Sequence, residues 1–198
     1  MTTSVEKSTN NYNWFESNKP YVKPEQEKNI LLHSYKGGSD SMYYTYVQSP
    51  VCDYLVTFLP VNLAPNVITV LGISCVFASI VMLHCLYGFD FDGPSLDSWF
   101  CYIAGLLYFS NTVLDNMDGK QARRTGSGSP MGMLFDHGSD AVTACMSCIL
   151  MGRMLHVGTG LPGLAAFFIP TLPFYWVNLQ EFYTGEMTLP NLTGPDDT

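Results

Sequence analysis

Four aspartates, Asp115, Asp118, Asp136 and Asp140, lie within or at the edge of apolar sequence. An ionised side chain is costly in such surroundings, and by default it marks function. Three residues turn a helix by about 300° and four by about 400°, so Asp115 and Asp118 share a face, as do Asp136 and Asp140. The intervening Gly126-Ser127-Gly128-Ser129-Pro130 is short enough to turn the chain back and lay the two faces together. Four carboxylates in one pocket would repel and stay partly protonated. Two divalent cations would cancel their charge. The donors are all oxygen, with no His or Cys set beside them, which favours Mg²⁺ or Mn²⁺ over Zn²⁺. Small residues complete the pattern: Gly119 follows Asp118, Ala122 is one turn further on, and Gly132 precedes Asp136 by one turn. They leave room for a bulky phosphate-bearing group, and the planar fork of Arg123 suits a phosphate. Such a site would bind a diphosphate and polarise it for in-line displacement.

The elements that must carry these residues follow from composition. Of 198 residues, 47% are hydrophobic and 13% charged, about half the charged share of an ordinary soluble domain. A net charge of −8 leaves no excess of Lys and Arg to neutralise phosphates, so nucleic acid is excluded as a partner. Residues 54–89 and 98–114 hold no Asp, Glu, Lys or Arg, and 141–180 hold only Arg153. A spanning helix takes roughly 20 mostly apolar residues. The expected fold is therefore an all-α, multi-pass membrane bundle of about four transmembrane helices plus one interfacial helix. Spans are predicted at about Asn66 to Tyr87, from Trp99 through Leu114 into the charged stretch, at Met131 to Met151 and at Leu161 to Val177. Pro65 suits a helix start, whereas Pro170 and Pro173 should kink or break the last span. Residues 51–63 are apolar but short and interrupted by Pro60, as expected of a helix lying along the membrane surface. The chain thus reads as a polar arm at 1–48, a membrane-embedded region at 49–180 and a short tail at 181–198.

Loop charges orient the bundle. Lys7, Lys19, Lys23, Lys28 and Lys36 precede the first span, and Lys120, Arg123 and Arg124 follow the second, while residues 88–97 carry only Asp. The arm and the 118–130 loop are then cytosolic. The triplet Asn191-Leu192-Thr193 would face the cytosol too, where it is no glycosylation site. The first 30 residues lack the apolar core of a cleaved signal. Cys75, Cys85, Cys101, Cys145 and Cys148 fall in the spans and read as small hydrophobes rather than disulfide or zinc ligands. His84 reads as packing, and Arg153 is expected to snorkel to the interface.

Asp115-x-x-Asp118-Gly119-x-x-Ala122-Arg123, eight residues, then Gly132-x-x-x-Asp136-x-x-x-Asp140 resembles the signature of the CDP-alcohol phosphotransferases at every fixed position. Those positions, at roughly 6% each, would be filled by accident on the order of once in 10⁷ to 10⁸ chains of average composition. Gly119-Lys-Gln-Ala-Arg-Arg-Thr125 and Phe135-Asp-His-Gly138 are similar to the eukaryotic choline and ethanolamine phosphotransferase branch. Ala64-Pro65-Asn66-Val67-Ile68-Thr69 resembles the start of its first span, and Tyr183-Thr184-Gly185 the segment after its fourth.

The resemblance implies transfer of a phosphoalcohol from CDP-choline or CDP-ethanolamine to diacylglycerol, with release of CMP. It implies two Mg²⁺ (or Mn²⁺) ions on Asp115, Asp118, Asp136 and Asp140. It also implies Asn66 and Arg123 on the diphosphate, and clearance at Gly119, Ala122 and Gly132. His137 becomes the candidate general base, with an unperturbed pKa near 6.5 that suits the task, and Asp140 its rival. The expected setting is the endoplasmic reticulum or Golgi membrane, with the site facing the cytosol and a homodimer as the family's assembly. That family is built on a six-helix core, so about four spans read as a C-terminally truncated member. Two other readings compete. One is a non-catalytic membrane protein that binds CDP-alcohols or pairs with a full-length relative. The other is a divalent-cation transporter, disfavoured because an ion path needs no gap at Gly119, Ala122 and Gly132.

Overall fold

A computed structural model describes residues 42–184 of the chain. The triplet at Asn191 and most of the predicted arm and tail lie outside the described residues. A π-helical turn, Tyr44–Gln48, leads into helix α1, Ser49–Val56. Four long helices follow: α2, Pro65–Tyr87; α3, Ser98–Thr125; α4, Pro130–Met154; and α5, Leu161–Thr184. Among the described residues there is no strand. The protein is all-α, as its composition requires.

The short first helix departs from expectation at both ends. Helical backbone begins at Met42, within the stretch assigned to the polar arm, and stops at Val56, so residues 57–64 form turns rather than a continuing helix. The proline-rich sequence explains the stop, because Pro60 lacks an N–H and Pro65 starts the next helix at its first position. Helix α5 departs the other way. Pro170 and Pro173 lie inside it without ending it, and residues 181–184 extend it into the predicted tail. Prolines are tolerated in membrane helices where other groups satisfy the freed carbonyls.

All four long helices have the length to cross a bilayer, with 23, 28, 25 and 24 residues. Helix α2 is also continuously apolar, with a mean hydropathy of 2.3 over its most apolar window. The others are diluted by the carboxylates of α3 and α4 and the prolines of α5. The distribution of side chains is the reverse of a soluble bundle. Leu71, Phe77, Tyr102, Leu106, Ile169 and Trp176 are exposed, whereas Asn111, Asn116, Asp118, Lys120, Gln121 and Arg153 are buried. Outward apolar faces of this extent suit an apolar surrounding. Polar groups inside can then join helices by hydrogen bonds.

Helix α2 is central, packing along both α3 and α4, while α5 packs on α4 and α1 on α3. Gly72 permits the closest approach: a Cβ there would stand 3.2 Å from the Asn111 side-chain oxygen. One apolar cluster of Leu83, Phe100, Ala104 and Leu150 closes the end remote from the aspartates. A second, of Cys52, Ile68 and Met117, lies at the near end. The six cysteines are free, and burial pushes the Cys52 thiol up from its usual range, in keeping with a packing role. His84 stacks on Phe89 with ring centres 4.6 Å apart, also packing. Arg153 does not snorkel. It is fully buried, and its guanidinium donates to the Pro94 carbonyl, because the 88–97 loop folds over the end of α4.

The turn between α3 and α4 is fixed by local chemistry. Gly126 ends α3 with φ 63°, a left-handed conformation that carries little penalty only for glycine. The Ser127 N–H then reaches back to the Ala122 carbonyl at 3.0 Å. Ser129 caps α4 by accepting from the Gly132 N–H at 3.0 Å, with Pro130 at the first position. Gly126→Ala should therefore lower stability by about 1 kcal/mol. The thermal midpoint in detergent measures this, and an unchanged midpoint would refute the role given to the turn.

Candidate metal and diphosphate site

Helix α3 places Asp115 and Asp118 on one face, and the Gly126 turn brings Asp136 of α4 opposite them. One carboxylate oxygen from each lies within 4.8 Å of the others. Asp118 is buried and the other two are half-buried. Asp140, one turn further along α4, stands outside this group. Three of the four predicted ligands thus converge. The donor set is hard oxygen throughout, which fits Mg²⁺ or Mn²⁺. Three like charges this close also call for a cation.

The faces of α3 and α4 that carry the aspartates meet, as the spacing predicts for Asp115, Asp118 and Asp136. Helix α2 packs on both of these helices and contributes to the site itself. The Thr69 hydroxyl donates to Asp118 Oδ2 and fixes that carboxylate's orientation. Thr69 was visible only as part of a quoted motif, with no role attached. Asn66, one turn before it, is exposed, and its side-chain oxygen stands 3.7 Å from where a Cβ on Gly132 would lie. The structure therefore joins Asn66 to Gly132, residues far apart in sequence. A Cβ on Gly119 would meet only the Arg123 guanidinium, at 3.7 Å, so the space beside Asp118 is open and edged by a cation. Arg123 is exposed and Ala122 half-buried on the same helix end.

His137, next to Asp136, is mostly buried, and its Nδ1 lies 3.8 Å from Glu181 Oε2 on α5. Sequence reasoning missed Glu181 by assigning it to the tail. Its signal was available: a carboxylate directly following the nearly charge-free stretch that forms α5.

The structure thus gathers three carboxylates from two helices, with small residues beside them and an exposed arginine at the same helix end, in an all-α protein. Residues 62–179 match the sequence family described as CDP-alcohol phosphatidyltransferase, and the chain belongs to that family. It is 34% identical over 171 residues to an uncharacterized class-I family protein 3 of Dictyostelium discoideum, covering 86% of this chain and 42% of that one. It is also 34% identical over 171 residues to choline/ethanolaminephosphotransferase 2 of Arabidopsis thaliana, covering 85% and 42%. Against the CDP-diacylglycerol–serine O-phosphatidyltransferase of Encephalitozoon cuniculi identity is 27% over 176 residues, covering 89% and 45%. The chain thus spans less than half the length of these relatives. The family's description is that of a phosphatidyltransferase acting on CDP-alcohols.

Proposed function

We propose that this chain carries the metal and nucleotide half of a transferase that moves phosphocholine or phosphoethanolamine from its CDP ester to diacylglycerol, releasing CMP. The observation that carries the reading is the convergence of Asp115, Asp118 and Asp136 beside the open space at Gly119. Asp140 would complete the ligand set as the diphosphate enters. Two bound Mg²⁺ ions would supply Lewis-acid polarisation of the diphosphate and neutralise the charge developing on the leaving phosphate.

The chain's own residues do the rest. Thr69 holds Asp118 in orientation through its hydroxyl. Arg123 and Asn66 bind diphosphate oxygens, and Gly119, Ala122 and Gly132 leave room for them. The acceptor hydroxyl oxygen attacks the phosphorus that bears the alcohol, forming one P–O bond as the P–O bond to CMP breaks. His137 receives the hydroxyl proton, with Glu181 supporting the ring that carries it. The proposed setting is the cytosolic surface of an endoplasmic reticulum or Golgi membrane, where a nucleotide can arrive from water and a lipid from the bilayer. A homodimer is the proposed assembly.

The likeness to a serine phosphatidyltransferase favours a second reading, with a lipid CDP ester as donor and a small polar alcohol as acceptor. A panel on membranes containing the chain separates them: CDP-choline or CDP-ethanolamine with diacylglycerol, against CDP-diacylglycerol with serine. Phospholipid should form in the first pair, and chelating divalent cations should abolish it. Turnover only in the second pair would reverse donor and acceptor. Calorimetric binding of CDP-choline without turnover in any pair would leave the non-catalytic reading standing.

A further inference from the structure

The end of α3 that carries Asp115 and Asp118 is gripped from behind. At 100° per residue, Asp115, Asp118, Gly119 and Ala122 centre near about 350° on the helix, whereas Met117, Lys120, Gln121 and Arg124 centre near about 190°, the opposite face. That second face is occupied by α1 and the turns after it. Lys120 is buried, and its ammonium donates to Ser49 Oγ at 2.8 Å and pairs with Asp53 Oδ1 at 2.7 Å. Fully buried Gln121 donates to the carbonyls of Pro60 at 2.9 Å and Leu63 at 3.2 Å. Arg124 donates to the carbonyls of Val56 at 2.7 Å and Leu59 at 3.0 Å. Met117 packs with Cys52 and Ile68 between these polar contacts.

These bonds have a common effect. Within this segment the Val56 and Pro60 carbonyls also accept the N–H groups of Leu59 and Leu63, at 3.1 and 3.0 Å, whereas the Leu59 and Leu63 carbonyls, in turns rather than a helix, take donors from the side chains of α3. In exchange, the turns fix where the last three turns of α3 sit and how they are rotated. Asp115 and Asp118 ride on those same turns.

We propose that Lys120, Gln121 and Arg124 are positioning residues of the metal site, which hold the α3 carboxylates in register with Asp136 by anchoring α3 to the α1 segment. This rests on the reading that the carboxylates bind a divalent cation. It assigns a catalytic consequence to a part of the signature sequence that touches neither metal nor substrate. It also makes the α1 segment, whose Tyr43, Tyr46, Val51, Tyr54 and Phe58 are exposed outward, part of the site's support.

Mn²⁺ binding to the purified full chain in detergent, followed by electron paramagnetic resonance, tests this without requiring turnover. Gln121→Ala, a neutral change, should weaken Mn²⁺ binding about tenfold while circular dichroism shows unchanged helicity. Lys120→Asp should weaken it similarly, and adding Asp53→Lys should restore binding to within about threefold of the unmodified chain. The sign is decisive, since an added negative charge near the site would by field alone tighten cation binding. Unchanged affinity in Gln121→Ala, or tighter binding in Lys120→Asp, overturns the proposal while leaving the metal reading intact. An unmodified chain that binds no Mn²⁺ overturns both. If Gln121→Ala loses helicity, the reversed pair decides the matter, because it retains the ion pair.

Discussion

Asp136→Ala should abolish transfer, lowering the rate by roughly 10³-fold or more, the scale seen when a preorganised charge-stabilising group is removed from an active site. Asp136 is the one member of the converging trio that comes from α4. Without it, Asp115 and Asp118 remain as neighbours on one helix face, a poor chelate that leaves a diphosphate free to rotate. The same change should not weaken the metal-free fold. Three carboxylate oxygens within 4.8 Å repel one another when no cation is bound, and removing one relieves that repulsion. A ligand that binds the folded state stabilises it by mass action. Magnesium should therefore raise the thermal midpoint of the unmodified protein and not that of the variant. Activity in Asp136→Ala equal to the unmodified chain would remove the aspartate trio from the mechanism altogether.

Gly119→Leu should separate metal binding from nucleotide binding. The position sits directly after Asp118, facing open space whose nearest neighbour to an added Cβ is the Arg123 guanidinium at 3.7 Å. An added Cβ there is in ordinary van der Waals contact, and Leu is the better helix former, so stability should hold or rise slightly. Affinity for Mg²⁺ should be unchanged, because no ligand is touched. The space that a diphosphate needs is filled, however. Overpacking costs of about 1–3 kcal/mol correspond to a loss of about tenfold to a hundredfold in affinity for the CDP-alcohol. Titration calorimetry with CDP-choline at fixed Mg²⁺ reads this directly. Undiminished binding in Gly119→Leu would place the diphosphate elsewhere and make the glycine a matter of helix packing.

Much of the candidate site is legible in the sequence because its decisive relations are local. Asp115 and Asp118 share a face by helix periodicity alone, and so do Gly132 and Asp136. The Gly126 turn and the Ser129-Pro130 start are encoded by residues that act on their own backbone, which is why the α3 and α4 boundaries near the site fell close to expectation. The α1 boundaries were poorer, since a helix of eight residues is held by what it packs on rather than by its own propensity. Of the two outcomes expected at Pro170 and Pro173, a kink or a break, the helix shows no break, since a proline's effect depends on its surroundings as well as its own ring.

The sequence by itself determined an all-α membrane protein, its family and a set of aspartates fit for hard divalent cations. Those conclusions follow from composition and from spacings within single helices. Only the tertiary structure decided that α2 packs on both α3 and α4, that Thr69 orients Asp118, that Asn66 meets Gly132, and that Glu181 approaches His137. It alone revealed the grip of Lys120, Gln121 and Arg124 on residues 49–63, and the burial of Arg153 beneath the 88–97 loop. Each of these joins residues well separated along the chain. Periodicity states which way a side chain points from its own axis, but partners are chosen by how the axes pack, and that choice is made by the whole assembly of helices at once.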